Sequence, residues 1–279
     1  MSEHLYRLSA FSSDPAGGNP AGVWIGNELP DTKTMQSIAA EVGYSETAFI
    51  APASGAIRTI RYYSPLAEVN FCGHATIATA VMLGRLGGTG TYQLDTLVGR
   101  VPVKVQAVDG QIQAALTSVE PAHKPVAEHL VDEVLALLQW PSDALDLTIP
   151  PVLAYGGVWH LILAVNSQYR LSQLDYDFEK LKSLMLREGL TTLQLVFREH
   201  RDLFHSRNPF PVGGVVEDPA TAAAAAALGG YLRDAKLIDV PGKFLIKQGE
   251  AMGRLSLLQV EVPKQGGIVV SGTAVEIAN

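Results

Sequence analysis

The stretch VGGVVEDPATAAAAAAL, residues 212–228, decides the fold predicted for this chain. Asp218 and Pro219 predict the start of a helix, because Asp is a favoured N-cap and Pro is tolerated at the first helical position. Ala222–Ala227 follow, so the helix is apolar on every side and suits enclosure by other elements. The free N–H groups and the dipole at its start attract an anion. Two interpretations stay open: an Ala-rich core helix with an ordinary acidic cap, or a ligand site.

Parts of this stretch have a counterpart earlier in the chain. The segment CGHAT at 72–76 aligns with EDPAT at 217–221, and a helix of small residues follows each. Upstream, SETAFI at 45–50 aligns more weakly with TLQLVF at 192–197. Because such matches keep the same order along the chain, they predict a duplicated unit. Further back still, one more pair keeps this order, GVW at 22–24 and at 157–159.

The composition is typical of a folded protein with a substantial core: 279 residues, 47% hydrophobic and 18% charged. A formal net charge of −7 argues against a nucleic-acid partner. The acidic start lacks the apolar region of a signal peptide, and the alanine run is shorter than the ~20 residues of a membrane span. We therefore expect a cytoplasmic protein without a membrane partner. The single cysteine, Cys72, excludes an internal disulfide, and the histidine spacing predicts no metal site.

Local signals predict more strands than helices, so we expect an α+β protein rather than a doubly wound parallel sheet. Asp31–Val42 has an acidic cap and apolar residues at helical spacing, and Gly43 ends it. Asp109-Gly110 predicts the turn of a hairpin. Glu120–Pro125 is the best candidate for a linker between two domains. Each half then consists of strands with one long helix, which predicts two pseudo-symmetric domains, each a barrel-like, mostly antiparallel sheet wrapped around a central helix.

Two such halves would face one another across a cleft and hold a small carboxylate between their helix N-termini. Four side chains are candidates for the chemistry there: Glu46, Cys72, His74 and Asp218. Alternatives stay open for three of them. Glu46 could be a solvated carboxylate at a strand end, His74 a structural hydrogen-bond donor, and Cys72 a small buried hydrophobic residue.

The reaction class follows from the differences between the halves. A cofactor-free racemase needs two opposed bases. In the second half, however, Glu217 and Asp218 occupy the positions that align with Cys72 and Gly73, so a second cysteine is missing, and Leu193 occupies the position that aligns with Glu46. A single base that removes a proton from one carbon and returns it to another fits better, which is an allylic isomerase. An epimerase using Glu46 with Cys72 or Asp218, and a non-catalytic small-molecule binder, remain alternatives.

At these residues the sequence resembles the PhzF family, the phenazine biosynthesis-like proteins, which are similar in fold to diaminopimelate epimerase. The resemblance implies two lobes, residues 1–118 with 264–279 and residues 119–263, with the active site in the cleft between them. It also implies a homodimer and a reaction without metal or organic cofactor. The matching motifs are Gly18–Val23, Tyr44–Phe49, Phe71–Thr76, Glu217–Thr221 and Val270–Ala274.

The resemblance further implies residue roles. Glu46 is the general acid/base, and His74 and Asp218 hold the substrate, a small anionic metabolite. The best-understood reaction of the family isomerises trans-2,3-dihydro-3-hydroxyanthranilate by a proton shift. One departure puts that substrate in doubt, because Ala222 and Ala223 replace a Gly-Ser pair whose serine contributes to the site in many members. The other residues predicted to bind substrate are Asn19, Ser45, Cys72, Gly73, Ala75, Gly214 and Thr221.

Overall fold

The computed structural model describes residues 4–53 and 57–278. Met1–Glu3, part of the start from which we expect no signal peptide, lie outside the described residues. Strands dominate a mixed α and β fold. The helices are α1 Thr32–Val42, α2 Gly73–Gly87, α3 Glu128–Leu137, α4 Gln168–Ser172, α5 Phe178–Glu188 and α6 Ala222–Asp234. The strands are β1 His4–Ala10, β2 Asn19–Ile25, β3 Glu46–Pro52, β4 Ile57–Tyr63, β5 Glu68–Val69, β6 Gly90–Thr96, β7 Gly99–Val108, β8 Gln111–Thr117, β9 Ala122–Pro125, β10 Val152–Tyr155, β11 Trp159–Ala164, β12 Thr192–His200, β13 Leu203–Phe210, β14 Val215–Asp218, β15 Gly242–Gln248, β16 Ser256–Val262 and β17 Val269–Glu276.

The chain divides into two compact units, and the first comprises the residues up to Thr117 and those from Ser271. Among its described residues, eight strands close into a barrel in the order β1–β2–β3–β4–β6–β7–β8–β17, with β17 pairing again with β1. Helix α2 contacts β1, β2, β3, β7 and β8. Its residues from His74 to Gly84 are buried, as expected for a helix of small and apolar side chains enclosed by strands.

Helix α1 packs beside this barrel and matches its sequence signals. Asp31 is the N-cap and accepts hydrogen bonds from the backbone of Lys33 and Thr34, and Gly43 ends the helix in the left-handed conformation. Met35 and Ala39 are its buried residues. The hairpin predicted at Asp109-Gly110 is also confirmed, between β7 and β8.

The second unit comprises residues Ser118–Val270. Its strands pair in the order β9–β10–β11–β12–β13–β15–β16, and α6 contacts β9, β10, β11 and β16. The predicted enclosure of the alanine helix is confirmed, since its residues from Ala224 to Leu232 are buried. Gly156 permits close approach to this helix, because a Cβ there would lie 2.3 Å from the carbonyl oxygen of Ala223. Leucines of α3 and α5 pack with Leu161, Leu163, Leu193 and Leu195 in a separate core cluster.

Two local predictions in the second unit are wrong. Helix α6 begins at Ala222 with Thr221 as N-cap, three residues after the predicted start at Pro219. Asp218 does not cap it, because that residue ends β14 and pairs with Asn208 of β13. The predicted linker is partly a strand, since β9 pairs with β10 at Ala122–Pro125.

Among the described residues, no helix combines the length and apolar character needed to span a membrane.

Candidate active site

Glu46 and His74 come together in the first unit. Glu46 is the first residue of β3 and His74 the second residue of α2. Their closest atoms, Oε2 of Glu46 and Nε2 of His74, are 3.5 Å apart, and Oγ of Ser45 lies 3.5 Å from the same nitrogen. The Glu46 side chain is 18% exposed and that of His74 only 7%. Because both distances are longer than a normal hydrogen bond, the nitrogen makes no tight contact with either group.

Cys72 completes this cluster as the N-cap of α2. Its Sγ lies 3.4 Å from Nδ1 and 3.9 Å from Nε2 of His74. Since the two distances are similar, the sulfur does not lie along the lone pair of either nitrogen. Glu46, Cys72 and His74 offer donor atoms within 4.8 Å of one another, a set that can hold a metal. A metal held by this set would need another Cys72 rotamer, because the sulfur does not face the lone pair of either histidine nitrogen.

Two buried hydroxyl groups stabilise the turn that carries Cys72 and His74 through a chain of hydrogen bonds. Thr76 Oγ1 donates to the carbonyl oxygen of Cys72 at 2.6 Å, so the hydroxyl of Tyr62, also at 2.6 Å, donates to Thr76. Burial raises the pKa of Tyr62, which keeps its phenol neutral. Sequence reasoning missed Tyr62, because its only local signal is strand periodicity.

Asp218 and Thr221 come together in the second unit. Thr221 Oγ1 donates to Asp218 Oδ2 at 2.6 Å, so one oxygen of the carboxylate is already occupied. The side chain of Gln248, at the end of β15, contacts both residues: Nε2 lies 2.7 Å from the carbonyl oxygen of Asp218 and 2.9 Å from Thr221 Oγ1. Sequence reasoning missed Gln248.

Glu217, beside Asp218, forms a buried ion pair with Arg207. The Arg207 Nε donates to Oε1 at 3.0 Å and Nη2 donates to Oε2 at 2.5 Å, and the two side chains are only 13% and 3% exposed. Arg207 also donates to the carbonyl oxygen of Ser172 at 3.0 Å. The hydroxyl of Tyr176 donates to the carbonyl oxygen of Val216, and burial together with the nearby Glu217 charge raises the pKa of Tyr176 to about 12. These contacts fix the β13–β14 hairpin that presents Asp218.

The other predicted binding residues are backbone positions or strand ends. Asn19 is buried at the start of β2, where it pairs with Ala10. Gly73 and Ala75 lie in the first turn of α2, whose early N–H groups suit an anion. Gly214 adopts the left-handed conformation before β14, and its N–H donates to the carbonyl oxygen of Pro211 at 3.0 Å.

Residues 8–279 of the chain match the protein family described as "Phenazine biosynthesis-like protein". A relative from Bacillus subtilis, the uncharacterized isomerase YfhB, is 32% identical, and the match covers 97% of this chain and 95% of the relative. Among solved structures, the PhzF family phenazine biosynthesis protein of Bacillus anthracis superposes with a TM-score of 0.90 at 23% identity, covering 100% of this chain and 98% of that one.

A more distant solved structure extends the likeness in fold to epimerases. It is a hydroxyproline epimerase from Agrobacterium vitis with bound trans-4-hydroxy-L-proline. Its TM-score is 0.67 at 14% identity, covering 99% of this chain and 91% of that one.

Proposed function

The chain belongs to the phenazine biosynthesis-like family and is an isomerase, and we propose that it moves a proton on a small carboxylate substrate with Glu46 as the proton carrier. The observation that carries this proposal is the placement of Glu46: a partly exposed carboxylate, 3.5 Å from a buried histidine, beside the first turn of α2. General acid/base work needs such a group, accessible to substrate yet held in place. Neither a metal nor an organic cofactor takes part.

In the proposed reaction the Glu46 carboxylate removes a proton from a carbon allylic to the substrate double bond. The electron pair of the broken C–H bond shifts the double bond along the skeleton and leaves negative charge on the conjugated system. Glu46, now a carboxylic acid whose proton exchanges with solvent, returns a proton to the far carbon. No electrons are gained or lost overall, so the step needs neither an oxidant nor a reductant.

The substrate anion is held by groups that donate hydrogen bonds. His74 and the N–H groups of Gly73 and Ala75 contribute from the start of α2. Gly214 and Thr221 border the substrate from the segments around Asp218, while their own N–H groups donate to Pro211 and Gln248. Asp218 itself binds a donor group of the substrate through its carboxylate. The remaining proposed contacts are Asn19, Ser45 and Cys72.

The proposal includes the architecture predicted from the sequence. Two pseudo-symmetric lobes, residues 1–118 with 264–279 and residues 119–263, enclose the substrate in the cleft between them, and the enzyme works as a homodimer. What supports the duplication is the ordered set of matching segments, CGHAT with EDPAT foremost.

The experiment incubates the enzyme in D₂O with two probes, trans-2,3-dihydro-3-hydroxyanthranilate and trans-4-hydroxy-L-proline, and follows both by ¹H NMR. An isomerase moves the double bond of the first probe and places deuterium at a new position of the skeleton. Glu46→Gln is expected to lower this turnover by at least about 100-fold, as for loss of a general base. Glu68→Gln is the matched control, because it removes a carboxylate from the same unit, paired with Arg61 at 3.9 Å. Wild-type turnover by Glu46→Gln would overturn the proposal.

An epimerase is the second candidate, and the position of Cys72 favours it. Its sulfur lies 3.4 Å from His74 Nδ1, and a rotation of the imidazole would bring the Nδ1 lone pair to the thiol, with Glu46 at the other ring nitrogen. An epimerase would exchange the α-proton of trans-4-hydroxy-L-proline for deuterium and invert that carbon. Cys72→Ser would then abolish exchange, whereas in the proposed isomerase it weakens substrate binding and the double-bond shift still takes place.

A further inference from the structure

Gln248 uses every hydrogen-bonding group of its side chain on one short segment, Asp218–Thr221. Nε2 donates to the carbonyl oxygen of Asp218 at 2.7 Å and to Thr221 Oγ1 at 2.9 Å, and Oε1 accepts from the Thr221 N–H at 3.2 Å. Gln248 is 1% exposed. An amide turned by 180° would face two oxygens with its own oxygen, so these contacts fix its orientation.

These contacts continue to the Asp218 carboxylate. The Thr221 hydroxyl has a single hydrogen, and it donates to Asp218 Oδ2 at 2.6 Å, because an ionised carboxylate only accepts. The same hydroxyl must therefore accept from Gln248 through a lone pair. Gln248 thus fixes the hydroxyl that in turn fixes the carboxylate, while it holds the backbone at both ends of the segment.

The strand end that carries Gln248 lies close against this segment. Gly249 has a φ of +77°, and a Cβ there would lie 2.4 Å from the carbonyl oxygen of Arg254 and 3.0 Å from that of Pro219. Glycine at this position is therefore required by the turn that follows β15 and by the close approach of the Pro219 carbonyl oxygen.

We propose that Gln248 is a positioning residue, which sets the Asp218 carboxylate in its working orientation through Thr221. This inference rests on the proposed role of Asp218 in holding substrate. An apolar side chain at Gln248 leaves the Thr221 N–H and the Asp218 carbonyl oxygen without this partner and frees the Thr221 hydroxyl to rotate. The Asp218 carboxylate then loses its fixed donor on Oδ2, and misplacement by about 1 Å is enough to slow a reaction ~100-fold.

The first measurement needs no substrate: hydrogen–deuterium exchange of the Thr221 amide in the full chain. Gln248→Met, similar in length but apolar, is expected to raise the exchange rate of this amide at least about tenfold. Tyr231→Phe is the matched control, since Tyr231 lies on α6, the helix that Thr221 caps. It removes one part-buried hydrogen bond, from the Tyr231 hydroxyl to the Pro150 carbonyl oxygen at 3.0 Å, and is expected to leave the exchange of the Thr221 amide at its wild-type rate. Unaltered Thr221 exchange in Gln248→Met would overturn the proposal.

The second measurement is the turnover of trans-2,3-dihydro-3-hydroxyanthranilate. Gln248→Met is expected to lower kcat by about 10- to 100-fold with less than about a threefold change in KM, while Tyr231→Phe keeps wild-type kcat. Gln248→Glu provides a rescue with pH. Its carboxylate cannot donate, but the protonated acid regains one O–H donor, so its turnover relative to wild type rises as pH falls.

The outcomes separate this inference from the proposed function. Equal losses of kcat in Gln248→Met and Tyr231→Phe would show that Gln248 has only a structural role. The same would follow if the turnover of Gln248→Glu relative to wild type did not change with pH. Wild-type turnover by Asp218→Asn would instead remove the role of Asp218. The exchange rate of Thr221 would even then decide whether Gln248 holds the segment.

Discussion

His160 provides a test of the core of the second unit that does not depend on the reaction. It lies on β11 and is fully buried, its Nδ1 is 2.8 Å from Thr192 Oγ1, and its Nε2 has no hydrogen-bond partner among the described residues. Burial lowers the pKa of His160 to about 3, because the charged imidazolium would lose its hydration without gaining a partner. The folded protein therefore keeps this histidine neutral over the working pH range.

The effect on stability follows from proton linkage. An unfolded histidine titrates near 6.5, so below that pH the unfolded chain binds a proton that the folded chain does not. Stability from this group is complete above pH 6.5 and is lost as pH falls towards 3. Each pH unit in that window costs about 1.4 kcal/mol, so lowering the pH from 7.5 to 5.0 costs about 2 kcal/mol of unfolding free energy.

The assay is urea unfolding at pH 7.5 and at pH 5.0 under equal ionic strength, for the wild type, His160→Gln and His129→Gln. Glutamine does not titrate, so the loss of stability between the two pH values is expected to be smaller in His160→Gln than in the wild type by about 2 kcal/mol. His129 is exposed on α3, and its variant should lose as much as the wild type. Equal losses in the wild type and His160→Gln would refute the assignment of a neutral, buried His160.

Three further substitutions test the surroundings of the site. Arg207→Met leaves the buried Glu217 carboxylate without its charge partner and should lower the free energy of unfolding in urea by about 3–5 kcal/mol. Adding Glu217→Met should restore most of this stability. A loss below about 1 kcal/mol in Arg207→Met would contradict a buried ion pair. Gly156→Ala places a Cβ 2.3 Å from the Ala223 carbonyl oxygen and should cost about 1–3 kcal/mol, so an unchanged melting temperature would contradict the close packing on α6. Ala223→Ser supplies the hydroxyl present in many family members and should raise the turnover of trans-2,3-dihydro-3-hydroxyanthranilate about fivefold, as one hydrogen bond of about 1 kcal/mol allows. Unchanged turnover would show that the missing serine does not determine whether this compound is a substrate.

The elements that could be predicted from the sequence have strong local signals. Helix α1 carries its own cap and stop residues, and the β7–β8 hairpin carries its own turn residues, Asp109 and Gly110. The proximity of Glu46, Cys72 and His74 was predictable only through the motifs, since Glu46 lies on a strand well before the helix that carries His74.

The wrong predictions have a common physical cause, which is competition from contacts distant in sequence. Asp218-Pro219 has the local chemistry of a helix start, but pairing with Asn208 extends β14 through Asp218 and delays the helix to Ala222. Residues 122–125 have the composition of a linker, yet pairing with β10 makes them a strand. Gln248 has no local signal at all, because its role depends on partners 27 and 30 positions away.

The two Ala-Thr motifs use their threonines for different partners, and this difference bears on which acid carries the proton. Thr76 donates to a backbone carbonyl oxygen, so the nearby Glu46 carboxylate is left to face His74 at 3.5 Å. Thr221 donates directly to the Asp218 carboxylate and is itself held by Gln248. A proton carrier must accept and release a proton at each turnover, which suits a carboxylate without a tight donor. A carboxylate tied to a fixed hydroxyl suits the orientation of substrate, so the contacts favour Glu46 for the first task and Asp218 for the second.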